Sequence, residues 1–162
     1  MKVLRLITAC AVAAGVLASS AFSAPAPGAG AQTSLFSVRR TASWVWPAQG
    51  SITTPFNLHV HDGIDIANLR SLAIRAASAG TVEGVGFLTG FDGYGRIVLL
   101  RSPTGLLEVY AHLSVAVVKV GDVLSPGDSI GTAGCTGICY GTHLHFEVRQ
   151  SGVPVDPTQF LP

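Results

Sequence analysis

Between Ile52 and Arg149 the apolar runs are short, and Gly, Pro, Asp or Asn interrupts them at intervals of roughly eight to twelve residues. That rhythm leaves room for strands and turns but not for a helix of a dozen residues. Expected strands are Ile52–Pro55, Ile64–Ile66, Ala73–Ala76, Gly80–Phe87, Gly95–Arg101, Leu106–His112, Ser129–Thr132 and Leu144–Arg149. Asp92-Gly93, Pro103-Thr104-Gly105, Gly121-Asp122 and Pro126-Gly127-Asp128 supply the turns between them. Ser114–Val118 reads as one turn of helix, and no repeat of solenoid length occurs. The economical expectation is all-β: one compact antiparallel β-sheet or β-sandwich domain over residues 42–162.

The N-terminus follows other rules. Met1–Arg5 is a short basic start, Leu6–Phe22 is apolar and Ala-rich, and Ala21-Phe22-Ser23 places small residues at −3 and −1. These mark residues 1–23 as a secretory signal peptide cleaved after Ser23. The apolar stretch falls short of the ~20 residues that span a bilayer. A retained anchor is the alternative, and no stable membrane insertion is expected after removal. Ile7-Thr8-Ala9-Cys10 resembles a bacterial lipid-attachment box. Only four residues separate Arg5 from Cys10, however, and the apolar run continues past it, so plain export is preferred. Residues 24–41 begin with Pro, Ala and Gly only and read as a flexible linker. The mature chain is therefore expected to be secreted or in the cell envelope.

Charge narrows the partners. The full chain carries ten basic and nine acidic residues. Losing Lys2 and Arg5 with the signal leaves eight against nine, a net charge of −1. There is no basic stripe, so nucleic acid is not an expected partner. Nothing in the sequence sets the oligomeric state. Cys135 and Cys139 remain after export, and an oxidising compartment permits a disulfide across Thr136-Gly137-Ile138. Two free thiols or a metal role are the alternatives.

Chemistry concentrates in the histidines. Leu144, Phe146 and Val148 alternate with His143, His145 and Glu147, so both imidazoles project from one strand face. Such a pair can bind a metal, carry protons, or do one of each. In His61-Asp62-Gly63-Ile64-Asp65, residues 61, 63 and 65 share a face if the segment is extended, and Gly63 leaves room between them. Catalytic zinc usually takes three protein ligands from His, Asp and Glu and keeps a fourth position for water. His61, Asp65 and one of the late histidines meet that rule.

HDGIDIA at 61–67, YAHL at 110–113 and GTHLHFEVR at 141–149 together resemble the LytM/lysostaphin-type zinc endopeptidases of family M23. AASAGTV at 76–82, the hairpin VGDV…PGDSIG at 120–131 and the ending VPVDP…FLP at 153–162 fit the same resemblance. It covers roughly residues 44–162. It implies an M23-like zinc peptidase domain, with His61, Asp65 and His145 as Zn2+ ligands and His112 and His143 as catalytic imidazoles. It also implies an exported metalloendopeptidase that cuts cross-link or stem peptides of peptidoglycan. Zinc lowers the pKa of bound water from ~16 to ~7 and polarises a carbonyl oxygen. A non-catalytic wall-binding or regulatory module on the same fold is the alternative, although such relatives typically have broken metal motifs. A lipoyl-type carrier domain fits poorly, because Lys119 lacks the expected flanking pattern.

Secondary positions are expected as follows. His59 is a groove or surface residue, Asp62 points away from Asp65, and Glu147 supports the site without joining it. Tyr110 lines the groove or packs. Trp44 and Trp46 are core. The segment between Thr53 and His61 is shorter than in many relatives, so one groove wall is lower or built differently.

Overall fold

The computed structural model describes residues 44–162. The signal peptide (1–23), the linker (24–41) and the first two residues of the expected domain lie outside them. Among the described residues there are eleven strands, one 3₁₀ turn at Pro157–Gln159 and no α-helix.

The strands are β1 (Ser51–Thr54), β2 (Ile64–Ala67), β3 (Ala73–Arg75), β4 (Gly80–Gly86), β5 (Ile97–Arg101) and β6 (Leu107–Ala111). They continue with β7 (Leu113–Ala116), β8 (Val123–Leu124), β9 (Ser129–Ala133), β10 (Leu144–Gln150) and β11 (Val153–Val155). Eight strands form one sheet in the order β1-β2-β10-β6-β5-β4-β8, with β11 also paired to β10. β3, β9 and β7 form a second sheet. Every pairing is antiparallel.

The structure corrects one expected element and adds two. Ser114–Val118 is not a helical turn. β7 pairs with β9, with Leu113 opposite Ala133 and Ala116 opposite Gly131. β8 and β11 are too short to carry a period of their own, and their partners β4 and β10 define them.

β10 organises the core. Its even positions Leu144, Phe146 and Val148 are fully buried. They join Ile64, Ile66, Tyr110, Val98 and Leu100 from neighbouring strands and Ile74, Ile130 and Leu113 from the small sheet. The apolar stripe predicted from alternation thus faces the second sheet. Burying each such side chain stabilises the fold by about 1.5–3 kcal/mol.

Tyr110 belongs to this core and not to the groove. Its ring lies 5.2 Å from that of Phe146, and its hydroxyl accepts from Ala77 N–H at 2.7 Å while donating to buried Glu108. Ser78 Oγ donates to the other Glu108 oxygen. Tyr110→Phe therefore removes one bond from the buried Ala77 N–H and one from the buried Glu108 carboxylate. The expected cost is about 2–4 kcal/mol, measured by chemical denaturation, and an unchanged midpoint would contradict the account. Trp44 packs on Phe160 at 5.1 Å. Trp46 is instead 39% exposed, with Nε1–H donated to Pro162 O, because the chain end offers it an acceptor at the surface.

Candidate active site

The odd positions of β10 point away from the core. His145 stands directly opposite Asp65 of β2 on one side and Ala111 of β6 on the other. Cross-strand neighbours on one face have Cβ atoms ~5 Å apart, so this register alone brings imidazole and carboxylate together. His61 precedes β2 and is held by a bridge to Asn57 across the turn 57–61. Between them Gly63 is pressed against β10: a Cβ there would lie 2.3 Å from Phe146 O, so only glycine fits.

Three donor atoms converge. His61 Nε2 lies 3.1 Å from Asp65 Oδ1 and 3.1 Å from His145 Nδ1, and His145 Nδ1 lies 2.9 Å from Asp65 Oδ1. Ligand atoms on a tetrahedral zinc at ~2.0–2.1 Å are about 3.3 Å apart, close to this triangle. The remaining ring nitrogens are tied back. His61 Nδ1–H donates to Pro55 O at 3.1 Å, and His145 Nε2–H donates to Glu147 Oε1 at 3.0 Å. With the His145 Nδ1 proton displaced, each imidazole thus turns a lone pair toward the same point, as metal-bound histidines do. His61, Asp65 and His145 form a group able to hold a metal ion.

Glu147 is wholly buried, and Arg149 Nε reaches its Oε2 at 2.5 Å. Arg149 also donates to Tyr94 Oη at 3.3 Å and lies 3.7 Å from Asp62 Oδ2. Burial pushes the Glu147 carboxyl up, but bonds from His145, Arg149 and Tyr94 outweigh it and hold it below its ordinary value. Burial likewise pushes Asp65 up. His145, Thr54 and the His61 charge outweigh that and hold it well below the usual carboxylate range. Burial pulls His145 down, yet its bonds to Asp65 and Glu147 win and push it up to about 9 in the metal-free protein.

His143 and His112 complete the cluster. His143 Nε2 is 3.6 Å from Asp65 Oδ1, and its Nδ1–H donates to Gly141 O at 2.7 Å. The His112 ring lies 4.8 Å from that of His143 and 6.0 Å from that of His145. His112 Nδ1–H donates to Thr136 O at 2.8 Å. Burial, with the neighbouring histidines, lowers the His112 pKa below its ordinary value and outweighs the bond to Thr136. It is therefore a neutral imidazole with a free Nε2. Strand alternation would put His112 on the core face with Tyr110. Its backbone is left-handed (φ 59°), which turns the ring onto the other face. His tolerates that region better than most residues.

All five expected site residues line one open cleft of about 790 Å³. His59 and Asp62 line the same cleft. Two contributors escaped the sequence reading. Arg149 continues the 143-145-147 parity, a signal that was present. Tyr94 sits in a turn, and only the fold stacks its ring 5.4 Å from His145. Burial and the Glu147 carboxylate push its hydroxyl pKa up, so it is neutral. Cys135 and Cys139 are joined as a disulfide.

Known proteins are similar to this chain in sequence and fold. The chain is 39% identical over 121 residues to the Pseudomonas aeruginosa lipoprotein NlpD/LppB homolog, covering 74% of this chain and 40% of that one. It is 33% identical over 123 residues to the murein hydrolase activator NlpD of Escherichia coli K12, covering 75% and 32%. The chain thus matches only about a third to two fifths of these relatives' lengths. Lysostaphin from Staphylococcus simulans, an antimicrobial peptidase, superposes with a TM-score of 0.61 at 28% identity over 74% of this chain and 53% of its own. A zinc-containing peptidase from Vibrio cholerae superposes with a TM-score of 0.61 at 29% identity over 70% and 37%. The family model for peptidase family M23 matches residues 59–157, more than half the chain and all five clustered side chains. By sequence, all-β architecture and cleft, the chain belongs to peptidase family M23.

Proposed function

We propose that this chain is an exported zinc metalloendopeptidase that hydrolyses peptide bonds of bacterial peptidoglycan, in a cross-link or a stem peptide. One observation carries the reading. Three donor atoms, two of them on imidazoles tied back through their other nitrogen, form a zinc-sized triangle, and two further imidazoles stand beside it with Nδ1–H engaged. His61, Asp65 and His145 would hold the ion, and the two-imidazole, one-carboxylate set suits zinc. Bound there, zinc supplies a water that ionises near neutral pH and a charge that polarises the scissile carbonyl.

The other steps fall to the chain itself. His143 Nε2, beside Asp65, is placed to take the attacking water's proton. His112 Nε2 faces the same space; once it has taken up a proton it can stabilise the oxyanion or protonate the leaving amine, and the two rings can exchange these jobs. Glu147, clamped by Arg149, fixes the His145 tautomer. The substrate class rests on the relatives, among them a murein hydrolase activator and an antimicrobial peptidase. The same relatives support an extracytoplasmic location, and no helix among the described residues is long and apolar enough to cross a membrane. Because one relative is a lipoprotein, the intact mass of the exported chain should be measured. Cleavage after Ser23 without added lipid is expected, and an acylated Cys10 would overturn it.

Zinc uptake should release protons. The raised His145 pKa means its extra proton stabilises the metal-free fold fully below about pH 6.5 and ceases to do so as pH rises through about 9. Metal must displace that proton, so apparent zinc affinity should rise about tenfold per pH unit between pH 6 and 8. Competition titrations against a chelator measure it, and a flat profile would contradict the site assignment.

A second reading, an activator of another hydrolase, is favoured by the name of the Escherichia coli relative. Purified exported chain incubated with intact murein separates them. New amino termini and shortened muropeptides by mass spectrometry are expected. Their absence, together with stimulation of a separate murein hydrolase, would favour the activator.

A further inference from the structure

We propose that the Cys135–Cys139 disulfide is the positioning element for the two imidazoles that flank the metal triangle, an inference that rests on the enzymatic reading above. One ring is oriented from inside the short loop this bond closes and the other from the residue two positions beyond it. Thr136, inside the five-residue ring, gives its carbonyl to His112 Nδ1–H at 2.8 Å. Gly141 gives its carbonyl to His143 Nδ1–H at 2.7 Å. Gly141 is itself held by the disulfide: its N–H donates to Cys135 Sγ at 3.2 Å, and its carbonyl lies 3.0 Å from Cys139 Sγ. Cys139 Sγ also lies 3.7 Å from His143 Nδ1.

The far side of the loop is fastened to the scaffold. Thr136 Oγ1 donates to Leu113 O and accepts from Arg96 N–H, both at 2.9 Å. Ile138 N–H donates to Gly93 O at 2.7 Å, beside the turn that carries Tyr94. One covalent bond thus sets two carbonyls, and those carbonyls fix which nitrogen of each ring is bare. Closing so short a loop removes little chain entropy compared with a long one. Positioning accounts for the bond better than global stability does. The consequence is a site whose hydrolytic competence depends on oxidation, while its metal ligands, none of them on this loop, do not.

The test compares zinc-loaded wild type, the same protein reduced with a phosphine, and Cys135→Ser/Cys139→Ser. Zinc content and circular dichroism should match in all three. On a peptide substrate, kcat should fall on the order of 10²-fold in the reduced and variant forms, with KM within about threefold. Reoxidation of the reduced wild type should restore it. Ring-nitrogen NMR should show single Nδ1–H tautomers for His112 and His143 when oxidised and averaged tautomers when reduced. Unchanged tautomers on reduction would overturn the proposal. Loss of zinc or of fold in the variant leaves the reduced wild type to decide. If the oxidised, zinc-loaded protein does not hydrolyse murein peptides, the enzymatic reading fails, and the tautomer measurement still judges the positioning role on its own.

Discussion

His145→Ala is expected to abolish zinc binding and hydrolysis together: zinc should fall from one ion per chain to about a tenth or less, and kcat/KM should fall on the order of 10⁴-fold or more. The reason is geometric. His145 occupies the centre of the triangle's strand pairing, opposite Asp65, and is only 7% exposed. Without its Nδ1, two donors remain, His61 and Asp65, and His61 comes from a turn outside the sheet. Two ligands do not hold zinc at the affinity of three. The substitution also strips Glu147 of a partner, but Arg149 still binds that carboxylate, so the fold should survive with a loss of about 1–3 kcal/mol. Elemental analysis after dialysis, paired with thermal unfolding in chelator, separates lost metal from lost fold. A folded variant that keeps stoichiometric zinc would contradict the ligand assignment.

His112→Ala should behave in the opposite way. Its ring lies 4.8 Å from that of His143, beside the triangle but not in it, and its Nδ1 is committed to Thr136 O. Zinc should stay at one per chain. Removing a proton-transfer group should lower kcat by about 10²–10⁴-fold, with KM little changed because the loss is felt in the transition state. Alanine fits the left-handed backbone at residue 112 less well than histidine, and the bond to Thr136 O is lost, so stability should fall by about 1–2 kcal/mol. A variant with equal zinc and full kcat would remove His112 from the chemistry.

Much of this site was legible in the sequence, for a physical reason. β10 alternates strictly, so Leu144, Phe146 and Val148 announce the core face and His143, His145 and Glu147 the opposite one. The sequence expects Gly63 to leave room between His61 and Asp65, whereas in the fold the backbone of Phe146 fills the space a side chain there would need. What was hidden depends on partners distant in sequence. β7 is a strand because β9 pairs with it, and nothing within Leu113–Ala116 says so. Tyr110 and His112 share strand parity, yet one is core and the other lines the cleft. The left-handed φ at His112 breaks the parity, and a residue pattern does not reveal a dihedral angle. Tyr94 has no periodic signal because it lies in a turn, and the packing over His145 alone gives it a place.

The most direct test is a zinc titration of the metal-free exported chain against a purified crosslinked muropeptide, with product amino termini counted at each step. Hydrolysis should be absent without metal, rise linearly with zinc and break at one ion per chain. A protein that binds that single zinc and still releases no new amino termini would contradict the enzymatic reading.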